Sequence, residues 1–255
     1  MIRSVLGLMA LSFGTSLAFA ENPAPSYLYK MISGPNHAIT LQGEPYTPQE
    51  GDLILFDDHN KFVHLLYELR GTGGPLHTAI VFKRADGTPA ILEAGPNLTP
   101  KVFVLEVEPR LHDFYGTILI RRLKKPLTPE QSAHLTQFAL AQENKHYSLV
   151  RLALQVTPFR PRGPFRTTCF GRTCLDRNRW TCSELTAAAA TAAGVLSQKR
   201  FCANGMYPRD LCYDEKFDLS PFYDDPALWY HQAQLEMDGN AIRLCDGRTE
   251  ETKKR

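Results

Sequence analysis

Residues 181–194 read TCSELTAAAATAAG. Alanine is the strongest helix former, and glycine just past a helical run is a common stop. The run therefore predicts a helix over Thr186–Ala193, led into by Cys182-Ser183-Glu184-Leu185 and ended by Gly194. Its side chains are nearly all small, so it can lie close against a sheet. Cys182 stands where the helix begins. Unpaired backbone N–H groups and the positive end of the helix dipole favour a thiolate there. A nucleophile held in this way needs a base within hydrogen-bond reach and a third group to orient the base.

Upstream, the pattern is that of strands. Gly51-Asp52 opens Leu53-Ile54-Leu55-Phe56. His77 to Phe82 is β-branched and apolar, Lys83 to Gly87 turns, and Ala90 to Ala94 returns. Val102 to Val107 and Thr117 to Arg121 read as two further strands, so the first half predicts a mostly antiparallel sheet. Phe62, Leu65, Leu66 and Leu69 fall at helical spacing and predict a short helix, broken at residues 71–74. Thr128-Pro129-Glu130-Gln131 is a helix start, with a cap residue, a proline at the first position and an acid in the first turn; the helix runs to about Gln142. Residues 21–49, rich in Pro, Gly and Asn, read as an irregular lead-in. Residues 158–180 read as a long basic loop, and the chain from Asn204 onward as a loop-rich extension. Together these readings predict an α+β fold, with an antiparallel sheet packed against helices.

His77 is the best candidate base. It begins a strand after a Gly-rich segment, which suits a sheet edge facing a cleft. On the returning strand, Glu93 is an acid in an apolar run, Ile91-Leu92-Glu93-Ala94. A five-residue turn pairs residue 82 with 88 and sets His77 opposite Glu93 on one face. A two-residue Asp86-Gly87 turn sets them on opposite faces.

Four motifs in this order resemble a known family: Gly51-Asp52-Leu53-Ile54, His77-Thr78-Ala79-Ile80-Val81, Ile91-Leu92-Glu93-Ala94 and Thr181-Cys182-Ser183-Glu184-Leu185. The chain resembles the permuted papain-like cysteine hydrolases of the NlpC superfamily, YiiX-type branch, over roughly residues 51–194. Cysteine following histidine is the mark of the permuted arrangement. The resemblance implies a circularly permuted papain-like fold, with Cys182 as nucleophile, His77 as general base and Glu93 as the orienting acid. It also implies a tyrosine near the oxyanion site, for which Tyr147 in Lys145-His146-Tyr147-Ser148 is the match. The expected reaction is hydrolysis of an amide, with cell-wall peptide as the natural substrate in a bacterium. The same branch resembles lecithin:retinol acyltransferase-like enzymes, which makes a lipid acyl hydrolase or acyltransferase the alternative.

Length and composition bound these expectations. The 255 residues, 43% of them hydrophobic, suit one domain with its own core. A formal charge of +2 excludes the global basic field of a nucleic-acid binder. Residues 1–20 carry Arg3, a mostly apolar Val5–Leu11 stretch and a small-residue end, Ala18-Phe19-Ala20. They read as a secretory signal cut before Glu21, which places the mature protein, residues 21–255, in the periplasm or outside the cell. No later stretch is apolar enough to cross a bilayer, and the oligomeric state is left open.

Export makes the six cysteines ambiguous. Three disulfides are one solution. If Cys182 is a free thiol, at least one more is unpaired: Cys169–Cys174 and Cys202–Cys212 close short loops, and Cys245 is then odd. A Cys182 held in a disulfide makes the chain a non-catalytic binding or structural protein instead. The other histidines show no ligand spacing backed by further donors, so neither metal nor cofactor is expected. Arg160, Arg162, Arg166, Arg172, Arg177 and Arg179 crowd the approach to Cys182. They suit an anionic substrate, although a solvated loop stapled by Cys169–Cys174 is the simpler reading. Asn97-Leu98-Thr99 fits a glycosylation acceptor, with Pro100 following. Asp52 reads as a turn residue without chemistry.

Overall fold

The computed structural model of the chain describes residues 25–33, 39–69, 71–95, 100–171 and 177–231. The expected signal segment, Asn97–Thr99, Arg172, Cys174 and Cys245 lie outside them.

In chain order the elements are β1 (Ser26–Ser33), β2 (Ile39–Pro45), β3 (Leu53–Asp57), α1 (Lys61–Glu68), β4 (His77–Lys83), β5 (Pro89–Gly95) and β6 (Lys101–Glu106). Then come α2 (Val107–His112), β7 (Thr117–Arg121), α3 (Pro129–Gln142), β8 (His146–Tyr147), α4 (Leu149–Ala153) and α5 (Arg166–Phe170). The chain continues through β9 (Arg179–Trp180), α6 (Cys182–Ala192), α7 (Pro208–Cys212) and β10 (Ala227–His231). The strands form one sheet in the order β2-β1-β10-β7-β3-β4-β5-β6-β8-β9. Its pairings are antiparallel except β8 with β9.

Alternation along the strands splits the core in two, because successive side chains point to opposite faces. Leu53, Leu55, Ile80, Phe82 and Leu92 face α3 and α6. Ile54, Phe56, Ala79, Val81 and Ile91 face the other way, toward Val107 and Leu111 of α2. On α3, Leu135, Phe138, Ala139 and Gln142 form the buried stripe, and Thr128 closes the expected capping box with Gln131. Every residue of α6 from Cys182 to Thr191 is buried. A helix covered all round must be made of small side chains to approach its neighbours, and α6 packs on both β4 and β5. Gly194 ends it with φ +71°, the left-handed conformation that suits glycine after a helix.

Four expectations are corrected. The lead-in is not irregular: β1 and β2 pair along most of their length. The Pro, Gly and Asn residues outweighed an aromatic and apolar strand signal beginning at Tyr27. Nor is the C-terminal stretch all loop, since β10 pairs with both β1 and β7 and so completes the sheet. The strand expected over Val102–Val107 stops at Glu106, and α2 begins with Pro109 in its first turn, where a missing N–H costs nothing. The loop before Trp180 contains α5.

Candidate active site

The helix α6 delivers Cys182 as its first residue, 6% exposed. Thr181, the residue before it, makes no side-chain capping bond, so the first-turn N–H groups keep their donor capacity for another acceptor.

His77 is the first residue of β4, which is sixth of ten strands. It therefore stands at the end of an interior strand and not on a sheet edge, as its sequence context suggested. Its Nε2 lies 2.9 Å from Glu93 Oε1. That leaves Nδ1 as the ring nitrogen available to the thiol, and nearby Cys182 is the foremost influence raising the imidazole. The strand register differs from the expected one. The five-residue turn is present, but Lys83 pairs with Pro89 and Ala79 with Glu93. His77 is thus a diagonal neighbour of Glu93, two residues along the same face, and a long side chain spans that offset. Glu93 shares the face of Ile91, whereas Cys182 arrives with α6 on the opposite one; His77 joins them around the strand end.

Tyr147 ends β8, is buried, and lies near enough to Cys182 to feel its charge. Burial, then the charge of Cys182, push its hydroxyl well above the ordinary tyrosine range, so it is a donor and not an anion. All four expected residues, Cys182, His77, Glu93 and Tyr147, are therefore in one place.

The electrostatics are those of a charged relay. Burial pushes the Glu93 carboxyl up, but hydrogen bonds and charge from His77 and Arg110 overcome it and hold the group at about 2. Burial lowers His77, and Cys182 and Glu93 more than reverse that, raising the imidazole to about 10. The favoured arrangement is an imidazolium held by the Glu93 carboxylate and set beside the Cys182 side chain.

No protein-family model matches the chain, and no curated protein does. Among solved structures, the metalloprotein YiiX from Escherichia coli O157:H7 is similar over 58% of this chain and 67% of its own, at 19% identity and a TM-score of 0.38. Among the described residues no three His, Cys, Asp or Glu side chains are grouped to hold a metal ion, and none of the helices is long and apolar enough to cross a membrane.

Sequence reasoning missed Arg110. It grips Glu93 through Nε to Oε2 at 2.7 Å and Nη2 to Oε1 at 2.9 Å. Its guanidinium also lies 4.5 Å from the centre of the Phe56 ring. No signal in the sequence ties α2 to β5; the fold alone does. The basic stretch resolves mostly into internal ties. Arg166 is buried and donates to the Asn204 carbonyl, Arg162 pairs with Asp210, and Arg177 lies 3.1 Å from Glu184. Arg151 takes the other Glu184 oxygen. Glu184 thereby moors the first turn of α6, and these arginines are committed to the protein, while Arg160, Arg179 and part of Arg162 are exposed. The proposed Cys202–Cys212 bridge is absent: Cys212 is a free thiol, fully buried in the core, where it packs as a small apolar group. Cys169 and Cys182 are bonded to no other cysteine among the described residues. Asp52 holds the backbone N–H groups of Gln49 and Leu123 and accepts from Tyr46, a structural role.

Proposed function

We propose that this chain is an exported cysteine hydrolase of the permuted papain-like type, acting through Cys182, His77 and Glu93. The observation that carries the reading is the convergence on one buried thiol of an imidazole, backed by a carboxylate, and of a tyrosine hydroxyl, at an uncapped helix N-terminus. A structural cysteine needs none of these.

In the reaction, the Cys182 thiolate attacks a carbonyl carbon and a C–S bond forms. The carbonyl oxygen takes up the negative charge, and the first-turn N–H groups of α6 with the Tyr147 hydroxyl stabilise it. The tetrahedral centre collapses, the bond to the leaving group breaks, and the leaving amine takes the proton from the His77 imidazolium. His77, now neutral, accepts a proton from water, whose oxygen attacks the thioester and releases Cys182. Glu93 stays ionised throughout and holds the ring. Amide hydrolysis, with a cell-wall peptide as substrate, is the leading assignment. One observation favours a lipid acyl substrate as second reading: α1 and the residue that follows it expose Phe62, Leu65 and Leu69, while the buried Tyr67 of α1 lies near enough to Tyr147 to raise its hydroxyl.

The test is labelling of the unreduced mature protein with limiting iodoacetamide, followed by peptide mapping. Rapid alkylation of Cys182 that persists below pH 7 and disappears in His77→Ala supports the reading. A Cys182 that reacts only after reduction, or no faster than Cys169, overturns it.

A further inference from the structure

Phe56 stands against both groups that bind Glu93. It is the β3 residue paired directly with His77 of β4, and the two rings lie with centroids 5.7 Å apart and planes tilted by 32°. Over the same ring is the Arg110 guanidinium, 4.5 Å from its centre. Phe114 backs the arrangement, its ring 4.8 Å from that of Phe56 and 5.4 Å from the guanidinium. Phe56 is 1% exposed, and its cross-strand neighbour on β7 is the aliphatic Ile118. Beside the ring, Glu93 accepts from His77 at Oε1 and from Arg110 at both oxygens. Opposite Glu93 is Ala79, whose single methyl leaves the carboxylate room to lean along the face toward His77.

With His77 protonated, this face of the sheet gathers two cations on one carboxylate. Neither Arg110 nor His77 has a second carboxylate among the described residues. Charge in excess away from water is costly unless polar or polarised groups meet it. An aromatic face is such a group: its quadrupole is negative at the centre and attracts a cation within about 6 Å. The guanidinium and the imidazole both fall inside that range of the Phe56 ring. An aliphatic side chain, such as the buried Ile54 on the same face, fills space and offers no such attraction.

We infer that Phe56 is a positioning residue of the proposed mechanism, its ring holding the His77 imidazolium and the Arg110 guanidinium on one carboxylate. The Phe56 carbonyl accepts from the Leu76 N–H at 3.0 Å, so the backbone just before His77 is fixed to the same residue. Ring, backbone and Glu93 together set the plane of the imidazole and keep Nδ1 available to Cys182. The part played in catalysis rests on the hydrolase reading; the ring–cation contact does not.

The experiment replaces Phe56 in the full chain by mono-, di- and trifluorinated phenylalanine. Each keeps the shape of the ring, and each added fluorine drains charge from its face. The readout is the pH titration of the His77 imidazole by nuclear magnetic resonance, its signal identified by its loss in His77→Ala. The ionisable groups around it are Cys182 from α6 and Glu93 from β5, with Arg110 from α2 on that carboxylate, and none of them is altered. A ring–cation contact predicts a titration midpoint that falls in order of fluorine content, by about half a pH unit in all. A midpoint that stays fixed across the series overturns the inference, because an apolar filler is indifferent to ring charge. Phe56→Leu should slow Cys182 alkylation at pH 7 about tenfold, and alkylation at the wild-type rate overturns the positioning role. Fast, His77-dependent alkylation beside a fixed midpoint removes Phe56 from the mechanism and leaves the hydrolase reading standing. An ordered fall in a protein whose Cys182 reacts only after reduction keeps the ring–cation contact and ends the hydrolase reading.

Discussion

The chain holds two histidine–carboxylate pairs of nearly equal length: His77 to Glu93 at 2.9 Å and His64 to Asp57 at 2.7 Å. By distance alone they are equivalent. They differ in what stands behind and in front. Glu93 is 2% exposed, clamped by Arg110, and its histidine meets a thiol. Asp57 is 16% exposed and His64 25%, and Cys182 is not among the residues lining the open cleft beside them. A hydrogen-bonded pair at a cleft is common; a pair suits the proposed mechanism when a buried charge is fixed on one side and a thiol stands on the other.

The sharpest way to break this comparison is at the nucleophile. Cys182→Ala is expected to lower amide or ester turnover by at least about 10³-fold; activity within tenfold of wild type would end the mechanism. At the bases, His77→Ala is expected to slow Cys182 alkylation at pH 6 by about 10²-fold. In His64→Ala the same rate stays within about twofold, and a comparable loss there would erase the distinction.

The clamp is tested by acid. Glu93 is held at about 2 against an ordinary 4.5, so its contribution to stability is present above pH 4.5 and lost as the pH falls through about 2. Arg110→Gln removes two of the bonds that keep it low. The acid midpoint of thermal unfolding should therefore move to higher pH, and identical melts from pH 2 to 6 would count against a role for Arg110. On the alkaline side His77 is raised from 6.5 to about 10, so its contribution is full below pH 6.5 and declines as the pH rises through about 10. Since Cys182 is the strongest upward influence on His77, Cys182→Ala should show a shallower decline in melting temperature between pH 6.5 and 10. An equal slope would mean that the two groups do not interact. The smallest effect is on the second pair: His64→Ala should cost about 1 kcal/mol or less in urea unfolding, and a loss above about 3 kcal/mol would make that pair a structural keystone.

The same contrast explains what was readable from sequence. The central strands and the helices α3 and α6 announce themselves through local chemistry: the Thr128 cap, the alanine run, the apolar blocks of β4 and β5. His77 and Glu93 could be paired because a hairpin turn fixes face parity even when the register is off by two, and Cys182 was legible from its place at a helix start. Arg110 could not, because it reaches Glu93 across a fold that no local rule encodes. The same holds for β10, which closes onto β1 from about 200 residues away in sequence. The arginines before Trp180 looked like an invitation to an anion; their partners Asp210, Glu184 and the Asn204 carbonyl come from elsewhere in the chain.

The burial of α6 has a consequence for how the protein fails. The helix that carries Cys182 lies on β4 and β5, the strands that carry His77 and Glu93. No piece of this arrangement sits on a surface loop that frays ahead of the core. Heating or denaturant should therefore spare the thiol's reactivity until the whole sheet gives way, and the curve of lost reactivity should overlay the curve of lost secondary structure.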